Sequence, residues 1–171
     1  IFNASIKLGM SARELCRGFD SVSVCLSKGL GAPAGTVLLS NKSLIEKAKR
    51  ARKILGGAMR QAGVLAAAGI YALEHNVERL AVDHANAERL AQGLREAGYE
   101  VEGPFTNMVF VKSRPGLAEH LQKNQIQILP GPRLRLVTHL DVDAAGIERA
   151  LDAFRSLAHG VKDERRPCRS A

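Results

Sequence analysis

Lys28 stands between two unlike pieces of chain. Before it runs Val22-Ser23-Val24-Cys25-Leu26, alternating and β-branched, which is the pattern of a strand. After it, three glycines and a proline fall within residues 27–35, the composition of a tight turn. A lysine set there can be held nearly rigid and partly desolvated. Desolvation disfavours the ammonium form, and a neutral amine can condense with an aldehyde. The plainer reading is a lysine that only caps a strand end, and position alone favours it.

Other reactive side chains offer less. Cys16, Cys25 and Cys168 match no zinc template and no C-x-x-C pair. An odd number without a framework points to a reducing compartment, and we expect a cytoplasmic location, with a mitochondrial one as the alternative. Cys25, inside an apolar run, is expected to be a buried small hydrophobe. No set of histidines and carboxylates has metal-ligand spacing, so no metal site is expected. His84 and His139 read as hydrogen-bonded structural residues, and His75, His120 and His159 as surface residues.

These residues need elements to hold them. Ile1–Leu8 reads as the end of a helix stopped at Gly9. Ser11 and Glu14 have capping-box spacing before a second short turn. Strands at 22–26 and 36–40 are joined by the glycine turn, and so short a connection predicts an antiparallel pair. Ser43 is expected to cap a helix with Leu44, Ile45, Ala48, Ala51, Ile54 and Leu55 on one side and basic residues on the other, ending at Gly56-Gly57. An alanine-rich helix over 59–74 follows, then a helix over 76–97 with Leu80, Ala87, Leu90, Ala91 and Leu94 facing inward. Beyond Gly98 we expect a strand at 107–112, a helix at 116–123, strands at 126–129 and 133–138, and a closing helix at 143–157. Residues 160–171 read as a disordered tail.

The chain has 171 residues and a formal charge of +8, with 46% hydrophobic and 25% charged residues. That composition is globular. No stretch approaches the roughly 18 apolar residues of a membrane helix, so no membrane is expected. The charge is concentrated: residues 41–60 hold seven basic residues against Glu46 alone. With no Trp and two Tyr, a base-stacking platform is poorly supported, and no nucleic-acid partner is expected. The opening Ile1-Phe2-Asn3 has no capping residue before it and reads as the cut end of a longer protein.

The segment Val22–Pro33 closely resembles the cofactor-lysine segment of the L-threonine aldolases, pyridoxal-phosphate enzymes of the aspartate aminotransferase fold type. The resemblance continues through Arg52-Lys53, Gly56-Gly57-Ala58-Met59-Arg60-Gln61-Ala62-Gly63, Leu65–Leu73 and Asp83-His84-Ala85-Asn86-Ala87. It extends through Thr106-Asn107-Met108-Val109-Phe110 to Arg135-Leu136-Val137-Thr138-His139-Leu140-Asp141, covering about residues 1–157. It implies an α/β fold: the C-terminal part of a fold-type I pyridoxal-phosphate enzyme. Residues 1–85 would end the large cofactor-binding domain and its sheet. Residues 86–159 would form a small α+β C-terminal domain.

The resemblance also implies roles. Lys28 matches the lysine that binds the cofactor aldehyde covalently. Arg135 matches the arginine that binds the substrate carboxylate, with Arg133 a rival on the same strand face. Lys53 and Arg60 match basic residues near the cofactor phosphate of a neighbouring protomer, so a homo-oligomer, dimer or tetramer, with shared sites is expected. The implied reaction cleaves L-threonine, L-allo-threonine and related β-hydroxy amino acids to glycine and an aldehyde. Alternatives are a serine hydroxymethyltransferase-like enzyme, a β-eliminating lyase, or a truncated isoform acting as an interaction module. The family's His-x-Asp-Gly-Ala-Arg segment would fall just before Ile1 and is not in this chain, so the 171 residues alone are expected to have little or no activity. The family's third glycine of Gly-Gly-Gly-Met-Arg is Ala58 here, which would be strained if that position needs positive φ.

Overall fold

The structure, a computed structural model, describes residues 1–163, with 158–163 as backbone only. It divides into two units, Ile1–Ala81 and a second from Val82 onward.

The first unit begins with α1 (Phe2–Leu8), which ends as expected where Gly9 turns left-handed at φ 62°. In α2 (Ala12–Leu15) the Ser11 side chain accepts from the Glu14 amide and Glu14 accepts from the Ser11 amide, completing the capping box. Strands β1 (Ser21–Cys25) and β2 (Thr36–Ser40) pair antiparallel, with Ser21 opposite Ser40 and Cys25 opposite Thr36. Helix α3 (Lys42–Ile54) starts one residue before Ser43: the cap is Asn41, whose side chain accepts from Leu44 N–H at 2.9 Å. Asn caps as well as Ser does, and here it takes the position two residues earlier. The alanine-rich helix is shorter than expected, α4 (Gly63–His75).

The core of this unit is small: Leu26, Leu30, Ala32, Ala72 and Leu80. The apolar stripe expected to face inward on α3 is therefore uncovered within the unit, and Ile54 and Leu55 are 75% and 85% exposed. The two-stranded sheet is equally bare, with Val37, Leu38 and Leu39 all exposed.

The second unit contains most of α5 (Leu80–Glu96), then β3 (Val101–Glu102), β4 (Met108–Lys112), α6 (Leu117–Lys123), β5 (Arg133–Val137) and α7 (Ala144–Asp163). The sheet order is β3-β4-β5, all antiparallel, with Phe110 opposite both Glu102 and Arg135. Alternation sends Val109, Val111, Leu134 and Leu136 inward, where they meet Leu90, Leu94, Leu151 and Phe154. Gly93 lets α5 approach α7: a Cβ there would lie 2.6 Å from Leu151 Cδ2.

Residues 126–129 are not a strand. Ile126 N–H instead donates to Leu121 O at 2.9 Å, and Ile126 and Ile128 pack on the core without a ladder. Alternation fixes which side chains turn inward, not whether a neighbouring edge is free to pair. Helix α7 runs past the expected end at Leu157 to Asp163, so residues 160–163 are helical; 164–171, the rest of the expected tail, lie outside the described residues, as do Cys168 and the side chain of His159. Among the described residues no helix is long and apolar enough to cross a membrane, and no cluster of His, Cys, Asp and Glu could hold a metal.

Candidate functional site

The turn after β1 is closed by its own backbone. Leu26 N–H donates to Gly35 O at 2.9 Å, Gly31 N–H to Lys28 O at 2.9 Å, and Ala32 N–H to Leu26 O at 3.1 Å. Gly31 and Gly35 take φ of 72° and 123°, which glycine adopts without steric cost. Leu26, Leu30 and Ala32 are buried and anchor the turn from beneath, and Asn76 Nδ2 donates to Leu30 O at 2.7 Å. The backbone that carries Lys28 is thus fixed at several points.

The Lys28 side chain itself is exposed and makes no ion pair among the described residues. The expected desolvation is absent, because a two-stranded sheet offers little to pack over it. Lys28 borders a cavity of about 270 Å³ together with Asn3, Ser23, Cys25 and Gly29. Gly29 keeps its floor close: a Cβ there would meet Leu80 Cδ2 at 3.1 Å and Asn3 Nδ2 at 3.4 Å.

Cys25 is exposed, contrary to the expectation of burial. It shares the open face of β1 with Ser21 and Ser23, while Val22 and Val24 take the other face. The alternation Ser-x-Ser-x-Cys carried that signal, and with it the membership of Ser23 and Cys25 in the lysine cavity. The Cys25 thiol is held below its ordinary pKa, chiefly by the Ser27 hydroxyl 3.4 Å away, with a smaller contribution from the Lys28 charge.

Lys53 lies in the last turn of α3 and Arg60 in the turn before α4; both are exposed and neither forms an ion pair among the described residues. Between them Gly57 N–H donates to Arg52 O at 2.8 Å, and Gly56 takes φ 79°. Ala58 is not among the residues with positive φ, so alanine is accommodated there without the strain considered above.

In the second unit, Arg135 borders a cavity of about 440 Å³ with an apolar floor of Ile126, Ile128 and Phe154 and a rim that includes His139 and Arg149. Its rival Arg133 is engaged elsewhere. The Arg133 guanidinium lies 4.0 Å over the Phe110 ring and pairs with Glu102. Arg135 has no ion-pair partner among the described residues.

Two histidines differ in setting. His139 Nδ1 lies 3.5 Å from Asp141 Oδ2 on the cavity rim. His120, expected on the surface, is half-buried and joins α6 to α7 through Ala153 O at 2.9 Å and Ser156 Oγ at 3.0 Å. Helical spacing placed it beside Leu117 and Leu121, the buried side of α6, and that was the missed signal.

The family model for β-eliminating lyase matches residues 1–114. The chain is 49% identical over 161 residues to the low specificity L-threonine aldolase of Escherichia coli K12, an alignment spanning 92% of this chain and 48% of that protein. It superposes on the Leishmania major threonine aldolase at a TM-score of 0.68 and 18% identity, over 85% of this chain and 45% of that one. The structure of SPT with PLP superposes at a TM-score of 0.67 and 22% identity, over 89% of this chain and 43% of that one. At those identities the structures share the fold. The chain spans about half the length of the curated relatives it matches.

Proposed function

This chain belongs to the β-eliminating lyase family, and on that premise we propose that it carries the lysine half of a pyridoxal-phosphate-dependent aldehyde-lyase that cleaves L-threonine and related β-hydroxy amino acids. The single observation that carries the reading is Lys28, presented without an ion-pair partner among the described residues on a turn closed by three backbone hydrogen bonds. The similarity to low specificity L-threonine aldolases supports the substrate class.

The residues present fit the cofactor. Lys28 offers an amine beside a cavity lined by the small polar side chains Ser23 and Cys25, and Gly29 leaves that cavity room a side chain would take. Lys28 would hold the cofactor through its aldehyde, and Lys53 and Arg60 would meet a phosphate, within a homo-oligomer. The exposed Ile54, Leu55, Met59 and Val64 beside those two residues support such an assembly.

Arg135 would bind the substrate carboxylate with its planar fork. That anchor would fix how the substrate is turned about its Cα. Pyridoxal phosphate, when bound, supplies an electron sink for the pair released at Cα. Threonine loses its hydroxyl proton as Cα–Cβ breaks, acetaldehyde leaves, and a proton added at Cα gives glycine. Cys16 and Cys25, both free thiols, fit a reducing, cytoplasmic setting.

The natural protein carrying this chain, mixed with pyridoxal phosphate, should develop a visible absorption band that Lys28→Ala abolishes, and should release acetaldehyde and glycine from threonine. The same band in the alanine variant would overturn the lysine assignment. The family description also covers β-elimination; a 2-oxo acid and ammonia in place of glycine and aldehyde would favour that reaction instead.

A further inference from the structure

Among the described residues four polar side chains are buried, Asp83, Asn86, Asn107 and Thr138, and all belong to the second unit. They gather where β5 ends. The ladder stops at Val137 opposite Met108. The next residue, Thr138, is 1% exposed and uses every polar group it has. Its N–H donates to Asn107 O at 3.0 Å, its carbonyl accepts from Asn107 Nδ2 at 2.9 Å, and its hydroxyl donates to Asp83 O in α5 at 2.6 Å. Four residues on, Asn86 Nδ2 holds Val142 O at 3.0 Å.

Packing does not require this arrangement. Valine has the shape of threonine, suits an extended segment, and would bury without needing a partner. The hydroxyl therefore supplies something other than filling. What it supplies is a fixed point: a strand end beyond its last ladder pair is free to fray, and here a short hydrogen bond ties it to a helix. Arg135 lies three residues upstream and makes no ion pair among the described residues. Its aim must come from the backbone that carries it.

We propose that Thr138 is a positioning residue, whose buried hydroxyl pins the end of β5 to the first turn of α5 and so fixes the direction in which Arg135 presents its guanidinium to a substrate carboxylate. This rests on the carboxylate reading of Arg135 given above. Asn107, the residue before β4, completes the pin, and the chain leaves it toward His139 on the same cavity rim.

The test pairs two measurements on Thr138→Val and Thr138→Ser. In the natural protein loaded with pyridoxal phosphate, glycine is titrated and its equilibrium affinity read from the absorption change. In the chain without cofactor, amide hydrogen exchange is followed across residues 133–138. Thr138→Val should weaken glycine binding about tenfold, as expected when a binding group is misplaced by a fraction of an ångström. It should raise KM for threonine more than it lowers kcat, and speed exchange in β5. Thr138→Ser, which keeps the hydroxyl, should stay within about twofold of the parent. If Thr138→Val folds poorly, Thr138→Ala provides the same comparison without added bulk. Normal glycine affinity in the Val or Ala variant, beside normal binding by the parent, overturns the pin alone. No glycine binding by the parent overturns the carboxylate reading and the pin with it.

Discussion

Arg133 and Arg135 leave β5 on the same exposed face, two residues apart, yet of the two only Arg133 forms an ion pair among the described residues, stacked 4.0 Å over Phe110 and paired with Glu102. The Arg135 guanidinium has no ion-pair partner among those residues. One acidic residue on β3 and one aromatic ring on β4 distinguish two arginines that a strand pattern presents as equivalents.

Arg135→Leu should therefore raise the KM for threonine at least about tenfold, the value of one charge-assisted fork, with the lysine-dependent absorption band intact. Arg133→Leu should leave KM near the parent value and lower stability by no more than about 1 kcal/mol, since its pair is exposed. Steady-state kinetics and urea melts on both variants check this. Equal effects on KM would show that the two are not divided in role.

Tyr99 gives a pH prediction. Its hydroxyl donates to Phe154 O at 2.8 Å, and burial pushes the phenol above its ordinary pKa, with the Arg114 charge working the other way. The folded state therefore keeps this proton to higher pH than the unfolded chain does. The stabilisation is complete below the unfolded value of about 10 and is lost as pH rises through the folded value. Tyr99→Phe should lower stability by about 1 kcal/mol at neutral pH. The gap between variant and parent should shrink in melts taken above pH 10, and a gap that widened there would contradict the sign.

Gly93 tests the packing of α5 on α7. An alanine Cβ would lie 2.6 Å from Leu151 Cδ2 and 2.7 Å from Cδ1. Despite the better helix propensity of alanine, worth up to about 1 kcal/mol, Gly93→Ala should destabilise by about 1–3 kcal/mol. Paired with Leu151→Ala, which removes the clash, the two losses should sum to more than the double variant shows. Additive losses in chemical denaturation would mean that the helices separate freely.

Cys25 gives a chemical readout at the lysine cavity. Because Ser27 holds its thiol below the ordinary pKa, alkylation should become fast at a lower pH than for an unperturbed thiol. Ser27→Ala should move that rise upward, and Lys28→Ala should do so by less. Iodoacetamide labelling against pH, read by peptide mass, checks both. A profile unmoved by Ser27→Ala would remove the hydrogen bond from the account.

Local signals were legible in the sequence wherever one segment contains its own cause. Gly9 ends a helix because glycine takes φ 62° without steric cost, and Ser11 with Glu14 closes a capping box from side chains three residues apart. The lysine motif and its glycine turn were nearly as self-contained, since three backbone bonds within residues 26–35 close the turn and one bond, from Asn76, reaches it from farther along the chain.

What the sequence left open depended on partners far along the chain. Cys25 sits in an apolar run; the alternation of β1 sets it beside Ser21 and Ser23, and the structure shows that face bare. Residues 126–129 alternate like a strand but take no place in a ladder, because alternation records burial and not pairing. The two-residue strand β3 is too short to leave a pattern at all.

The sequence by itself determined the family pattern and the lysine with its turn, because each rests on residue chemistry and short spacing. The tertiary structure decided which of the two arginines is engaged and what holds the strand end. Those depend on Glu102, Phe110 and Asp83, brought to β5 from 31, 23 and 55 residues away by hydrogen bonding and packing that no local pattern encodes.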